Sequence, residues 1–374
     1  MNAPTARVSG RAPDPSASAR HSQPVTLALQ GGGSLGAFAW GVLDRLLDVP
    51  GFRIDVVSGA SAGAMNAALL VQGLATGGPA EAKRLLEAFW RRVAVSSGSL
   101  DVTGSATWLF PFSGIMAPMA DVLRQTTKGL SRQQINPLGL NPLRAVLDGL
   151  FDPSVFGRDS APSLVVSTTR VSNGEARLFR DAEITTEVLL ASSCLPQLFP
   201  AVEVEGEFYW DGGFASNPPL RALIEAGAPA DIILVRTTPQ ERPDLPTGAA
   251  AILERTEEMT FGAALRQELR SLALAQRFLA DLPTASGVLA RLRDARLHVI
   301  GAEEEFRALK IGSHQDASWV FLQEMRELGH SAAERWLAAD FAAVGLRSTF
   351  DLSRFAQPSL ETPLGAQPAT TFPG

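Results

Sequence analysis

Val25-Thr26-Leu27-Ala28-Leu29-Gln30 runs directly into Gly31-Gly32-Gly33-Ser34-Leu35-Gly36, and Leu35, Phe38, Val42, Leu46 and Leu47 then recur at helical spacing until Pro50-Gly51. A β-like run, a glycine-rich turn and an amphipathic helix make the first half of a βαβ unit. The second strand is expected over 52–57. It leads into Gly59-Ala60-Ser61-Ala62-Gly63 and a helix of small residues. Another helix opens with Pro79 in its first turn and carries Ala82, Leu85, Leu86, Phe89, Trp90 and Val93 on one stripe. This alternation predicts an α/β fold with a mainly parallel sheet between helices.

Further along, strands are expected over 163–171 and 175–180, joined at Asn173-Gly174, a strong hairpin signal. A helix follows from about Thr185 to near Cys194-Leu195-Pro196. A short hairpin spans 202–210 around Gly206, followed by Asp211-Gly212-Gly213, a helix start at Asn217-Pro218-Pro219 and a strand over 232–236. Beyond Pro246 the pattern is mainly helical. Met259, Leu265, Leu269, Leu272 and Leu279 mark one helix and 319–343 another, with a late strand over 297–300. The expected organisation is a leader over 1–22, a catalytic domain over 23–240, a mainly helical extension over 241–350 and a flexible tail over 351–374. Residues 96–140 read as an insertion. Trp108, Leu109, Phe110, Phe112, Met116 and Met119 are followed there by Arg124, Lys128 and Arg132, a composition suited to a lid or an interfacial patch.

The chain has 374 residues, is 45% hydrophobic and 19% charged, and so has ample material for a core. That excludes a wholly disordered protein. Its net charge of -6 lacks the basic excess of a nucleic-acid binder. The lone cysteine, Cys194, excludes an intrachain disulfide and a thiolate metal cluster, and reads as a small buried side chain. The longest apolar stretch, 60–74, is broken by Ser61, Asn66 and Gln72 and falls short of the roughly 18 residues a membrane span needs. The first 22 residues lack the apolar region of a secretory signal. A cytoplasmic protein is expected, with peripheral contact at a membrane or lipid surface and self-association left open.

Residues 31–36 fit G-x-G-x-x-G, the form of a dinucleotide-binding turn. Such a site needs an acidic residue at the end of the second strand. Asp55 has about the right spacing but lies too early in that strand. The second strand ends instead in G-x-S-x-G, the form of a nucleophile elbow. Both glycine motifs close successive parallel strands and face one crevice, so the 31–36 turn can offer backbone N–H groups beside Ser61. The histidines are His21, His298, His314 and His330, and none stands in a loop at the end of a core strand. A Ser-His-Asp triad thus lacks a well-placed histidine. Asp211, between a hairpin and a helix start, can act as base if burial raises its pKa.

In this order, Gly31 to Gly36, Gly59-Ala60-Ser61-Ala62-Gly63 and Asp211-Gly212-Gly213 resemble the motifs of the patatin-like phospholipases. The flanks Ala191-Ser192-Ser193 through Pro196, Phe199-Pro200 and Asn217-Pro218 resemble them too. The resemblance covers about 25–236. It implies lipid acyl-ester hydrolysis by a Ser–Asp dyad with no cofactor and no metal. Ser61 is then the nucleophile and Asp211 the proton acceptor. Gly31, Gly32, Gly33, Ser34 and Gly36 supply the oxyanion hole, and Gly59, Gly63, Gly212 and Gly213 are motif glycines. Two positions depart from the family: Leu35, where many members carry Arg or Lys, and Gly213, where many carry Ala. The substrate implied is a lipid acyl ester. The competing reading is a non-catalytic, Rossmann-like nucleotide-binding or lipid-binding scaffold.

Overall fold

The computed structural model describes residues 23–97, 141–309 and 312–356. Strand β1 (Pro24–Leu29) leads through a 3₁₀ turn into α1 (Gly36–Leu46), and β2 (Arg53–Ala60) leads into α2 (Ala62–Ser96). The last departs from helical geometry at Gly78 (φ 71°), where Pro79 restarts it. The stripe expected from Pro79 is therefore the second segment of a bent helix. Next come α3 (Pro142–Leu147), β3 (Ser163–Arg170), β4 (Ala176–Arg180), α4 (Thr186–Ser192), β5 (Val202–Val204), β6 (Glu207–Asp211), α5 (Leu220–Ala226) and β7 (Asp231–Val235). The remainder comprises α6 (Ala249–Leu279), α7 (Val288–Asp294), β8 (Arg296–Ile300), α8 (Glu303–Ala308) and α9 (Trp319–Ala339).

One sheet runs in the order β5-β6-β3-β2-β1-β7-β8, with β4 also on β3. Strands β3, β2, β1, β7 and β8 are mutually parallel, β4 and β6 pair antiparallel with β3, and β5 pairs antiparallel with β6. The expected mainly parallel α/β sheet is present, and both hairpins form where Asn173-Gly174 and Gly206 mark them.

Strand β3 sets up the crevice. It pairs with β2 over Ser163 to Ser167 and with β4 over Val165 to Thr169, so these two neighbours occupy opposite edges. Strand β6 pairs with Thr168 to Arg170, where β4 is still present, and therefore continues the edge that β2 has left. Ala60 ends β2 opposite Ser167, and Asp211 ends β6 opposite Thr168. Two chain segments meet head to head along one strand, and Ser61 and Asp211 stand at the join.

Alternation of side chains gives the sheet two buried faces. Leu27, Leu29, Ile233 and Val235 pack with α1, α2 and α9, whereas Ala28, Ile232 and Leu234 pack with Leu220 and Ile224 of α5 and Leu265, Leu269 and Leu272 of α6. Helices α1 and α9 approach closely because each offers a glycine. A Cβ on Gly41 would lie 1.8 Å from the Arg326 carbonyl oxygen, and one on Gly329 would lie 2.0 Å from that of Phe38. Gly329→Ala is expected to force the helices apart, costing about 1–3 kcal/mol as overpacking does; thermal denaturation reads this as a lower melting temperature.

The region expected as a helical extension packs into this body. Strand β8 extends the sheet, and α6 and α9 cover its two faces. Leu352 and Ala356 are buried in the second core, so 351–356 belong to the packed body and not to the tail expected from 351. Leu352, Phe355 and Ala356 adjoin a Pro- and Thr-rich stretch, whose composition set the expectation for them as well. The expected leader, nearly all of the 96–140 insertion, including its Trp, Phe, Met and basic residues, and positions 357–374 lie outside the described residues. Among the described residues, no helix is long and apolar enough to cross a membrane.

Candidate active site

Ser61 sits between β2 and α2 with φ 54° and ψ -129°, a backbone conformation that costs a non-glycine residue free energy and is typical of a sharp elbow. The flanking glycines permit this turn. A Cβ on Gly59 would lie 2.4 Å from the Gly63 carbonyl carbon, and one on Gly63 would lie 2.3 Å from the Leu29 carbonyl oxygen. Helix α2 begins at Ala62, so its N-terminal dipole and unpaired first-turn amides point at the serine.

The Ser61 amide donates to Ser192 Oγ (3.0 Å), and that hydroxyl donates to the Ser167 carbonyl (2.7 Å). A buried serine on α4 thus pins the elbow to β3. Ser192 lies in a flank noted in the sequence, but nothing in its helical spacing signals this role. Ser192→Ala removes the hydroxyl that links the Ser61 amide to the Ser167 carbonyl. It is expected to cost about 1–3 kcal/mol of stability and, if Ser61 is the nucleophile, to lower kcat about tenfold to hundredfold by loosening its position. Melting curves and steady-state kinetics together check both effects.

The glycine turn lies against the same serine. A Cβ on Gly31 would be 2.6 Å from the Ala60 carbonyl oxygen and 2.8 Å from Ser61 Cβ. Five residues were expected to offer amides for an oxyanion hole, and in the structure these residues differ in which amides already have a protein partner. The Gly31 amide is bound to Asn217 Oδ1 (2.7 Å), and its carbonyl accepts from Thr237 Oγ1 (2.9 Å). The Gly36 amide is spent on the carbonyls of Gly33 and Ser34. Gly31 and Gly36 therefore serve close packing; a Cβ on Gly36 would meet that of Ala62 at 2.6 Å. The amides of Gly32, Gly33 and Ser34 make no hydrogen bond to a described residue, and Gly33 is exposed with φ 58°. Asn217, which precedes a cis proline, is a supporting residue that the sequence reading had only as a helix start.

Asp211 is 1% exposed. Its amide donates to the Cys194 carbonyl (2.8 Å), its carbonyl accepts from Thr169 Oγ1 (2.7 Å), and its carboxylate accepts from the Gly213 amide (2.7 Å). Burial pushes the carboxyl up to about 7, against the opposing pull of hydrogen bonds from the Gly213 amide and the Ser61 hydroxyl. Gly212 and Gly213 allow this close approach. A Cβ on Gly212 would lie 2.1 Å from the Ser167 carbonyl oxygen, and one on Gly213 would lie 2.5 Å from the Phe261 ring on α6. The arrangement pairs an alcohol with a carboxylate poised near neutrality, beside free backbone amides at the positive end of a helix.

Among the described residues, His298 and His314 have ring contacts away from Ser61. His298 is buried on β8 between Asp231 (3.1 Å) and Thr349 (3.1 Å). His314 comes closer, since its carbonyl oxygen lies 2.5 Å from where a Gly33 Cβ would be. Its ring, however, turns to Glu257 (3.4 Å) and Glu254 (3.5 Å), which hold its proton and raise its pKa. His21 is outside the described residues. Asp55 lies early in β2 and pairs with Arg53, away from the carboxyl edge where a ribose would bind. Cys194 is buried, its thiol 3.0 Å from the Pro200 carbonyl oxygen.

The family model for patatin-like phospholipase matches residues 27–224, more than half of the chain. The chain belongs to the patatin-like phospholipase family. The matched stretch of this patatin-like phospholipase runs from β1 into α5 and holds both Ser61 and Asp211. Among curated proteins none matches the sequence. Similar solved structures include VipD from Legionella pneumophila, with 14% identity over 85% of this chain and 67% of that one and a TM-score of 0.37. ExoU in complex with SpcU, from the type III secretion system of Pseudomonas aeruginosa, shows 19% identity over 89% of this chain and 65% of that one, with a TM-score of 0.30. A second structure of that complex gives 15% identity over 85% and 54%, with a TM-score of 0.28. The chain thus spans about half to two thirds of the length of these proteins. Family membership supports a lipid ester hydrolase.

Proposed function

We propose that the chain is a serine lipid acyl hydrolase of phospholipase A type, acting through a Ser61–Asp211 dyad and an acyl-enzyme. The observation that carries this reading is the buried Asp211 carboxyl at the end of β6, one rung along β3 from the strand end that leads into the Ser61 elbow at the N-terminus of α2, with burial raising that carboxyl to about 7. Asp211 takes the hydroxyl proton as Ser61 Oγ bonds to the acyl carbon. The carbonyl oxygen becomes an oxyanion, held by the amides of Gly32, Gly33 and Ser34 with that of Ala62. The tetrahedral species collapses, the ester C–O bond breaks, and Asp211 returns the proton to the departing alcohol. Water then gives its proton to Asp211 and attacks the acyl-enzyme, releasing a fatty acid and restoring Ser61. The substrate is a lipid acyl ester, met by a peripheral protein at a lipid surface.

Fatty-acid release from phospholipid vesicles and p-nitrophenyl esters tests the reaction, and labelling by a fluorophosphonate tests the nucleophile. Covalent modification mapped to Ser61 is the expected result. An unlabelled chain that releases no acid is the scaffold of the competing reading.

A further inference from the structure

Next to the candidate active site is a second concave feature that the hydrolase reading does not use. It is a shallow surface cleft that encloses only about 20 Å³, lined by Gln30, Arg236, Thr238, Arg255, Glu258 and Arg266 among others, so that a ligand larger than a water would sit in its open mouth. Gln30 immediately precedes the glycine turn. Gly262 on the opposite wall follows Phe261, whose ring lies against Gly213. The cleft is thus at the carboxyl edge of the sheet, where α/β proteins place ligands.

Its charge is lopsided in a protein of net charge -6. Two carboxylates in or beside the cleft are each shared by two arginines, Glu258 by Arg242 (2.6 Å) and Arg255 (3.1 Å) and Glu303 by Arg236 and Arg307 (2.9 Å), while Glu254 adds its charge near Arg242. Arg266 has no carboxylate partner among the described residues, and its guanidinium reaches only the Met259 carbonyl (3.0 Å). Burial and the like charges of Arg255 and Arg270 push Arg266 below the usual guanidinium range. Burial together with Arg354 and Arg307 does the same to Arg236, against the pull of Glu303. Half-buried guanidinium groups that repel one another around an open space form an incomplete arrangement. A single carboxylate would leave it short of negative charge. A phosphate group brings about -1.5 to -2 and several strong acceptor oxygens that match guanidinium forks.

We propose that the arginine-lined cleft between β1, β7 and α6 is a binding site for a phosphate group. Binding does not rest on the hydrolase reading; only its use, holding a lipid headgroup beside the glycine turn, rests on that reading. The phosphate comes either from solution or from a headgroup at a lipid surface, and the arms of the test separate these sources.

The test uses the Ser61→Ala chain, so that no turnover intervenes. Inorganic phosphate is titrated against thermal unfolding at constant ionic strength, with chloride as the control. Co-sedimentation compares vesicles of phosphatidylcholine alone with vesicles of phosphatidylcholine and phosphatidic acid. Phosphate is expected to raise the melting temperature more than chloride does if the source is soluble. Selective binding to the phosphatidic acid vesicles is expected if the source is a headgroup. Adding Arg266→Gln is expected to weaken either response about tenfold or more. It is also expected to leave the unliganded melting temperature equal or higher, because one of a repelling set is gone. Arg266→Lys, which keeps the charge without the fork, is expected to regain part of the affinity. Indifference to phosphate and to acidic vesicles alike, or a glutamine variant that binds as tightly as its parent, overturns the proposal. So does lost binding with a lowered melting temperature that lysine fails to restore. None of these results affects ester release by the native chain, whose dependence on Ser61 is measured separately.

Discussion

Replacing Ser61 by alanine is expected to lower ester hydrolysis by about 10⁴-fold or more, as removal of a nucleophile does in other serine hydrolases. The substitution deletes a single oxygen. The backbone at residue 61 already holds φ 54°, and the Ser61 amide keeps its bond to Ser192. The glycine contacts at Gly31, Gly59 and Gly63 involve backbone and Cβ atoms, all of which alanine retains. Folding should therefore be almost untouched, and KM for a soluble p-nitrophenyl ester should move little. Whatever rate survives measures what the free amides of Gly32, Gly33 and Ser34 contribute without a nucleophile. Steady-state rates with melting curves for both chains decide the matter. A variant that retains its rate places the chemistry on another residue.

Asp211→Asn carries the second large effect, and it acts in opposite directions on activity and stability. The amide of asparagine cannot accept the Ser61 proton, so turnover should drop by about 10³-fold or more. In the native chain the rate should climb with pH as the carboxyl ionises around 7 and then level off; in the variant that rise should vanish. Stability follows from linkage. The carboxyl is raised from 3.8 to about 7 on folding, so the folded state favours the proton. Its contribution to stability is fully present below about pH 4, declines as pH rises towards 7 and is gone above that. A gap of this size corresponds to about 4 kcal/mol. The asparagine chain is free of that penalty and should melt higher than the native chain at pH 8, with the advantage shrinking towards pH 4. Melting temperatures across this range, read beside the rates, separate a functional burial of charge from an ordinary structural aspartate. Equal stability at pH 8 with a surviving pH–rate rise argues against Asp211 as the base.

Local chemistry made the αβ half of this molecule readable. Glycine turns at 31–36 and 59–63, apolar helical stripes and Asn173-Gly174 each act over a few residues, and each element appears where its signal lies. Leu297 to Ile300 sufficed for a late strand, but its partner, β7, lies 65 residues earlier, and no periodicity announces such a pairing. The same limit concealed the support around the candidate site. Ser192 looks like any small polar residue of a helix, and its value arises only when α4 meets the turn after β2. Asn217 reaches Gly31 across 186 positions. The five-residue oxyanion expectation treated every amide in the turn as available, whereas tertiary partners claim Gly31 and the onset of α1 claims Gly36. Asp211 itself was singled out by its glycines, but its raised pKa depends on burial that no run of residues displays.

The head-to-head meeting of β2 and β6 along β3 amounts to a ruler. Ser61 and Asp211 follow or occupy consecutive rungs of one ladder, Ser167 and Thr168, so their separation is marked off by a single strand and not by the length of chain between them. Connections can grow or shrink on either side without changing that interval, provided the ladder stays in register. Such a layout holds the proposed Ser61–Asp211 pair at one spacing whatever the length of chain that joins α2 to β3.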